Sequence, residues 1–290
     1  MGAVTSPPPA DDPVADTALH ERPDQRFIGD RDLTAWPSAA GRVLAGLAMH
    51  LHRRLAPNHV LIVILVVGLA LVAALTAAAS AVYDAVVEAD GVAALDHPAL
   101  DAAKAARTPQ LTTLVQAYTT LGGPIGMPVL ATIVALALGM GWRQWTPVLL
   151  IAATAAGSLT LTVVGKAVVG RTRPPLADAV PPYELSASFP SGHTLNSVAL
   201  AGVVAYLLMR RQRRKRARIT TLCCACVFAF AMGLSRIYLG HHWLTDVLVA
   251  WALGLGWLTV VISAHRLLLT LRKRDATGLP PEPVVPAPDA

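Results

Sequence analysis

Three short stretches of this 290-residue chain concentrate residue types that bind anions and move protons. One lies at residues 166–174, one is Pro190-Ser191-Gly192-His193, and one lies at residues 235–246. In the second, Pro190 resists helix and Ser191 is a favoured N-cap residue, so an apolar helix is expected to begin near Thr194. Gly192 lets another group approach the backbone closely. The N–H groups at a helix start are unpaired and lie at the positive end of the dipole, so this turn suits an anion. His193 beside it can pass a proton to whatever the anion is bonded to. Taken alone, the motif is equally a Ser-capped helix with an incidental histidine; its surroundings decide.

The other two stretches supply those surroundings. Lys166, Arg173 and Arg236 are cations, and the arginine forks match phosphate oxygens. His242 follows Arg236 by six residues and Asp246 follows His242 by four. On a helix starting near Trp243 these two share a face of the first turn. The carboxylate can then accept a hydrogen bond from one ring nitrogen, which fixes the tautomer and leaves the other as a nucleophile. Displacement at phosphorus needs that nucleophile in line and positive charge on the equatorial oxygens. Asp246 is committed to His242 and no carboxylate cluster suits Mg²⁺ or Zn²⁺, so neither metal nor cofactor is expected. Asp178 and Glu184, in the loop before Pro190, read as solvated. Cys223, Cys224 and Cys226 share one apolar segment, which fits small buried core residues and neither a disulfide framework nor a zinc site.

The elements that must position these residues are membrane helices. The chain is 54% hydrophobic and 14% charged, with mean hydropathy +0.52, whereas a soluble domain carries about 25% charged residues. Apolar runs at 60–82, 124–141, 147–165, 194–209, 219–234 and 243–269 read as six spans of an all-α transmembrane bundle. Residues 1–41, rich in Pro, Asp and Ala, read as a disordered tail and not as a secretory signal. A membrane domain is expected over 42–270, followed by a basic and then Pro-rich tail over 271–290. Leu44, Leu47, Leu51 and Leu55 fall at helical spacing among basic residues, as in an interfacial helix. Residues 111–121 read as a helix at the surface.

The net charge of +6 is distributed in short clusters between spans, which favours anionic lipid over nucleic acid as its partner. Arg53 and Arg54, Arg143, the run from Arg210 to Arg218, and Arg272, Lys273 and Arg274 all fall on one side of a six-span chain. By the positive-inside rule that side is the cytoplasm, with both termini on it and the three motifs at the outer face of the cell membrane. Lys166, Arg171, Arg173 and Arg236 run against that trend, and an anionic ligand gives them a reason.

Together the stretches resemble the type 2 phosphatidic acid phosphatase (PAP2) family, relatives of the vanadium haloperoxidases. The family pattern is Lys-x6-Arg-Pro, Pro-Ser-Gly-His and Ser-Arg-x5-His-x3-Asp, and residues 166–174, 190–193 and 235–246 match it without departure. The resemblance covers roughly residues 60–270. It implies that His242 is the nucleophile, forming a phosphohistidine, and that Asp246 orients it. His193 would protonate the leaving oxygen and then activate water. Lys166, Arg173, Ser191, Gly192 and Arg236 would hold the phosphate oxygens, with Arg171 a lesser contact. The x5 spacing selects His242 over its neighbour His241. The implied activity is metal-independent hydrolysis of a lipid phosphate or polyprenyl diphosphate in the bilayer. Phosphatidic acid, phosphatidylglycerol phosphate, undecaprenyl diphosphate and sugar-linked polyprenyl phosphates all remain open as substrates. A phosphotransferase would use the same phosphoenzyme. A lipid-binding or transport protein would need no nucleophile, so the intact His193, His242 and Asp246 argue against it.

Overall fold

The computed structural model describes residues 26–52, 55–56, 59–70, 73–74 and 92–277. The tail readings of residues 1–25 and 278–290, and the end of the first expected span, lie outside them. In chain order the elements are strands β1 (Phe27–Ile28) and β2 (Arg31–Asp32), then helices α1 (Ala39–His52), α2 (His59–Ala70), α3 (Asp96–Ala105), α4 (Pro109–Thr120), α5 (Gly126–Trp142), α6 (Thr146–Val169), α7 (Gly192–Arg211), α8 (Lys215–Tyr238) and α9 (Leu244–Thr277). The two strands pair antiparallel, with Phe27 opposite Asp32; the rest of the described architecture is helical. Four helices, α6 to α9, are long and apolar enough to cross a membrane, while α2 and α5 are shorter apolar helices.

The centre of the bundle is α7. Leu195, Ala199, Val203 and Leu207 form a fully buried stripe along it at four-residue spacing, and α6, α8 and α9 pack around it. Between lipid-embedded helices there is little hydrophobic drive, so close contact and interhelical hydrogen bonds hold them. One such contact joins α6 to α9. A Cβ at Gly157 would sit 2.1 Å from the Trp257 ring, and the Trp257 indole N–H donates to the Thr154 carbonyl at 3.0 Å.

Two sequence expectations are corrected by this packing. Cys223, Cys224 and Cys226 are exposed on α8, alongside exposed Leu222, Val227 and Phe230. A helix facing lipid turns apolar residues outward, so apolarity there does not mean burial in protein. Residues 26–38, expected in the disordered tail, are ordered because α9 gives them a partner. Leu33 is buried, the Arg266 guanidinium donates to the carbonyls of Leu33 and Ala35 at 2.9 and 2.7 Å, and it lies over the Trp36 ring. Helix α1 is separate from α2, and its buried face is Gly41, Ala45 and Ala48, packed with Leu267 and Leu271. Of the expected leucine stripe, Leu44 and Leu51 are half-buried, while Leu47 and Leu55 are exposed.

This topology separates two ends of the bundle. The C-terminus of α6, the start of α7, the C-terminus of α8 and the start of α9 share one end. The basic run between α7 and α8 lies at the other. The β1–β2 turn is there too, with Gly29 against the Arg218 guanidinium.

Candidate active site

All three sequence motifs meet at the first end. Gly170, at φ 60°, turns the chain out of α6, and its N–H returns to the Lys166 carbonyl. The loop that follows is tied to the start of α9 by the Trp243 indole N–H, which donates to the Thr172 carbonyl at 2.9 Å. Pro190 then packs onto α6 where Gly165 leaves room, since a Cβ there would lie 2.6 Å from the Pro190 ring.

His242 and Asp246 are both buried. The Asp246 Oδ2 lies 3.5 Å from His242 Nδ1 and accepts the Trp243 N–H at 3.0 Å and the Ser188 hydroxyl at 2.5 Å. Its Oδ1 accepts Arg171 Nη1 at 2.7 Å. On the other side of the ring, Arg173 Nη1 lies 3.3 Å from His242 Nε2. A guanidinium only donates, so Nε2 carries the lone pair and the ring proton sits on Nδ1, facing Asp246. Burial, above all, lowers the His242 pKa; Asp246 raises it, Arg236 and Arg173 lower it further, and it settles at about 4. The imidazole is therefore neutral near pH 7. His241 points elsewhere, donating from Nε2 to the Val180 carbonyl at 2.7 Å.

The cations surround this nitrogen. Arg173 also donates to the carbonyls of His241 and Ser186, each at 2.6 Å. Lys166 donates to the Ala187 carbonyl and to Ser186 Oγ. Arg236 is buried and donates from Nη1 to Thr119 Oγ1 at 3.0 Å. Its Nε–H is buried and meets no acceptor among the described residues.

Glu184, expected to be solvated, instead lies among these cations. It pairs with Arg236, and its Oε2 lies 2.9 Å from Arg173 Nη2. Burial alone would raise its carboxyl, but the charges of Arg236, His193 and Arg173 overcome that and hold it at about 2. Asp178 is likewise paired, 2.6 Å from Lys104.

His193 stands in the first turn of α7 with Nδ1 3.9 Å from Glu184 Oε1. The chain at Gly122 and Gly123 passes along its ring, so a Cβ at Gly123 would lie 3.5 Å from Nε2. Ser191 occupies the N-cap position but makes no side-chain cap bond. Its hydroxyl bonds the Thr194 hydroxyl at 2.9 Å, and its N–H is aimed at the Asp246 carbonyl. Gly192 packs against Thr162. The N–H groups of Gly192 and His193 head the helix, where no intrahelical partner is available.

The family model described as the PAP2 superfamily matches residues 146–268. Phosphatidylglycerophosphatase B of Bacillus subtilis (strain 168) is 32% identical over 174 residues, 58% of this chain and 82% of that protein. The crystal structure of a transmembrane PAP2-type phosphatidylglycerolphosphate phosphatase from Bacillus subtilis aligns at a TM-score of 0.57 and 30% identity, covering 67% of this chain and 92% of that one. The chain belongs to the PAP2 superfamily. It is a membrane phosphatase of the PAP2 type.

Within this PAP2 site, Arg171 joins Glu184 in departing from its expected place, and other residues carry no signal in the sequence. Arg171 was expected as a lesser phosphate contact, but its guanidinium is spent on Asp246, Thr245 and Asp96. Asp96, Thr119 and Ser188 carry no motif signal. Thr119 reaches Arg236 across 117 residues of sequence and Asp96 reaches Thr245 across 149, separations that spacing alone does not bridge.

Proposed function

We propose that this chain hydrolyses the phosphate of a membrane lipid through a phosphohistidine on His242. The observation that carries this reading is His242 Nε2. Its lone pair is exposed to the cation cluster by a proton held on the Asp246 side, and Arg236 beside it keeps a buried N–H without an acceptor among the described residues.

In the first step Nε2 bonds to phosphorus and the bond from phosphorus to the lipid oxygen breaks. Lys166, Arg173, Arg236 and the N–H groups of Gly192 and His193 take the charge of the three remaining oxygens. His193 gives its proton to the leaving oxygen. Asp246 stabilises the charge that His242 acquires. In the second step His193 takes a proton from water, the water oxygen bonds to phosphorus, and the P–N bond breaks to release inorganic phosphate. A diphosphate would react in the same way and leave a lipid monophosphate. No step uses a metal.

The relatives' activity makes phosphatidylglycerol phosphate the first substrate to test. Six spans, with the membrane domain over residues 42–270 and the ordered chain reaching back to residue 26, would place the site at the outer headgroup layer and both tails in the cytoplasm. The N-terminal segment and the far end of α9 packing together supports tails on one side.

The test is trapping of phosphate from radiolabelled phosphatidylglycerol phosphate with an alkaline detergent quench. An acid-labile, base-stable phosphoenzyme is expected in the wild type. His242→Ala should abolish it. With a good leaving group such as p-nitrophenolate, which needs no proton, His193→Ala should accumulate it, because the second step lacks its base. Trapping in His242→Ala would exchange the two roles, and loss of the phosphoenzyme in His241→Ala alone would identify the wrong neighbour.

A further inference from the structure

We infer that Asp96, carried on α3, is a positioning residue for the His242–Asp246 pair and acts through Arg171; this rests on His242 being the nucleophile. One guanidinium lies between two buried carboxylates. Arg171 donates from Nη1 to Asp246 Oδ1 and from Nη2 to Asp96 Oδ2, each at 2.7 Å. Asp96 is 3% exposed and Asp246 is fully buried.

Asp96 also holds the start of the helix that carries Asp246. Its Oδ1 accepts the Thr245 N–H at 2.9 Å, and its Oδ2 accepts the Thr245 hydroxyl at 2.8 Å. That hydroxyl in turn accepts Arg171 Nη1 at 2.7 Å. A carboxylate from a distant helix thus serves the N-terminal turn of α9, where a negative charge is favoured. The next residue, His97, packs edge-on against Trp243 with ring centroids 4.9 Å apart, and Arg171 lies over that same indole. Helix α3 lies outside residues 146–268, where the family model matches.

Two consequences follow for His242. The first is direction. Arg171 is anchored by Asp96 on the Oδ1 side of Asp246, which leaves Oδ2 to Ser188, the Trp243 N–H and His242 Nδ1. The second is charge. Arg171 alone would neutralise Asp246 and weaken its hold on the ring proton. Shared between two carboxylates, it leaves the trio with one net negative charge. That charge stabilises the cation that His242 becomes when Nε2 bonds to phosphorus.

The experiment is single-turnover phosphoenzyme formation by the full-length protein in detergent, with KM and thermal inactivation measured in parallel. The wild type must first form the phosphohistidine; if it does not, the proposed function fails, not this inference. Given that, Asp96→Asn keeps the shape and removes the charge. Its rate is expected to fall about 10- to 100-fold, with KM within about twofold. Arg171→Gln should fall similarly, and the double variant should be no slower than the slower single variant, because the two residues act as one unit. Wild-type rate in folded Asp96→Asn, loss of thermal stability alone, or losses that multiply in the double variant would each overturn the inference. If Asp96→Asn does not fold, Arg171→Lys carries the same test, since an ammonium keeps the charge but lacks the fork that spans both carboxylates. A wild-type rate there overturns it equally.

Discussion

Arg173 Nη1 is aimed at the lone pair of His242 Nε2 from 3.3 Å, so the group that would balance the phosphate also fixes which nitrogen can attack it. With Asp246 on the Nδ1 side, the ring is held in one tautomer from both edges. On the proposed mechanism, substrate has to draw a guanidinium N–H off the lone pair before bonding can begin, and the charge of the phosphate would supply the pull.

The first prediction is that His242 stays neutral well below the usual histidine range. Burial and the two arginines bring its pKa down to about 4 from 6.5. In ¹⁵N-histidine NMR of the solubilised protein, the His242 ring is expected to remain the neutral Nδ1–H tautomer at pH 5.5. An imidazolium signal at that pH would refute it. The linkage sign follows. Between about 6.5 and 4, unfolded chains bind a proton that the folded chain refuses, so this histidine makes folding stability decrease as pH falls through that window.

A second prediction concerns Glu184, whose carboxylate holds Arg173 and Arg236 where phosphate oxygens would go. An anion must displace it, and since its pKa lies at about 2, no working pH removes its charge. Glu184→Gln should therefore tighten competitive inhibition by vanadate or inorganic phosphate by about tenfold, because less of the protein is self-occupied. The inhibition constant at pH 7 decides; an unchanged or weaker one would mean that the carboxylate does not compete for the site.

Metal independence is the third. Among the described residues no three His, Cys, Asp or Glu side chains group as a metal site, and Asp246 is engaged with Arg171, Ser188 and the Trp243 N–H. Phosphate release is expected to continue in excess EDTA and to fall with vanadate. Loss in EDTA with recovery on adding Mg²⁺ would refute the mechanism as written.

The sequence made most of the motif residues legible because they sit at or beside helix ends, where spacing along the chain converts directly into position. The family's x5 spacing points to His242 over His241, and of the two rings it is that of His242 that lies between Arg173 and Asp246. Glu184 reads as solvated from its charge, whereas two arginines brought from distant elements, Arg173 and Arg236, make its burial favourable. Arg171 was misread because motif spacing gives proximity but not the direction of a side chain, and its second carboxylate is contributed by α3. The cysteines were misread by a burial rule that holds in water. Residues 26–38 have too few apolar residues to signal order alone; it is Arg266 and Thr270 of α9 that give the segment its hydrogen bonds.

The last prediction is the orientation of the bundle. Ala177 is exposed in the loop at the motif end, and Arg213 is exposed in the basic run at the other end. The positive-inside rule assigns the basic end to the cytoplasm, and the Gly29 turn and the Asp32–Lys273 pair at 3.6 Å bring the N-terminal segment and the end of α9 to that same end. The three native cysteines are exposed on α8, so they must be replaced before labelling. In that background an impermeant thiol reagent applied to intact cells should label Ala177→Cys, and should reach Arg213→Cys only after permeabilisation. The reverse pattern would invert the orientation and put the site at the inner headgroup layer. Labelling of both in intact cells would mean that the two positions are not separated by the membrane at all, and the six-span reading would fall with the orientation.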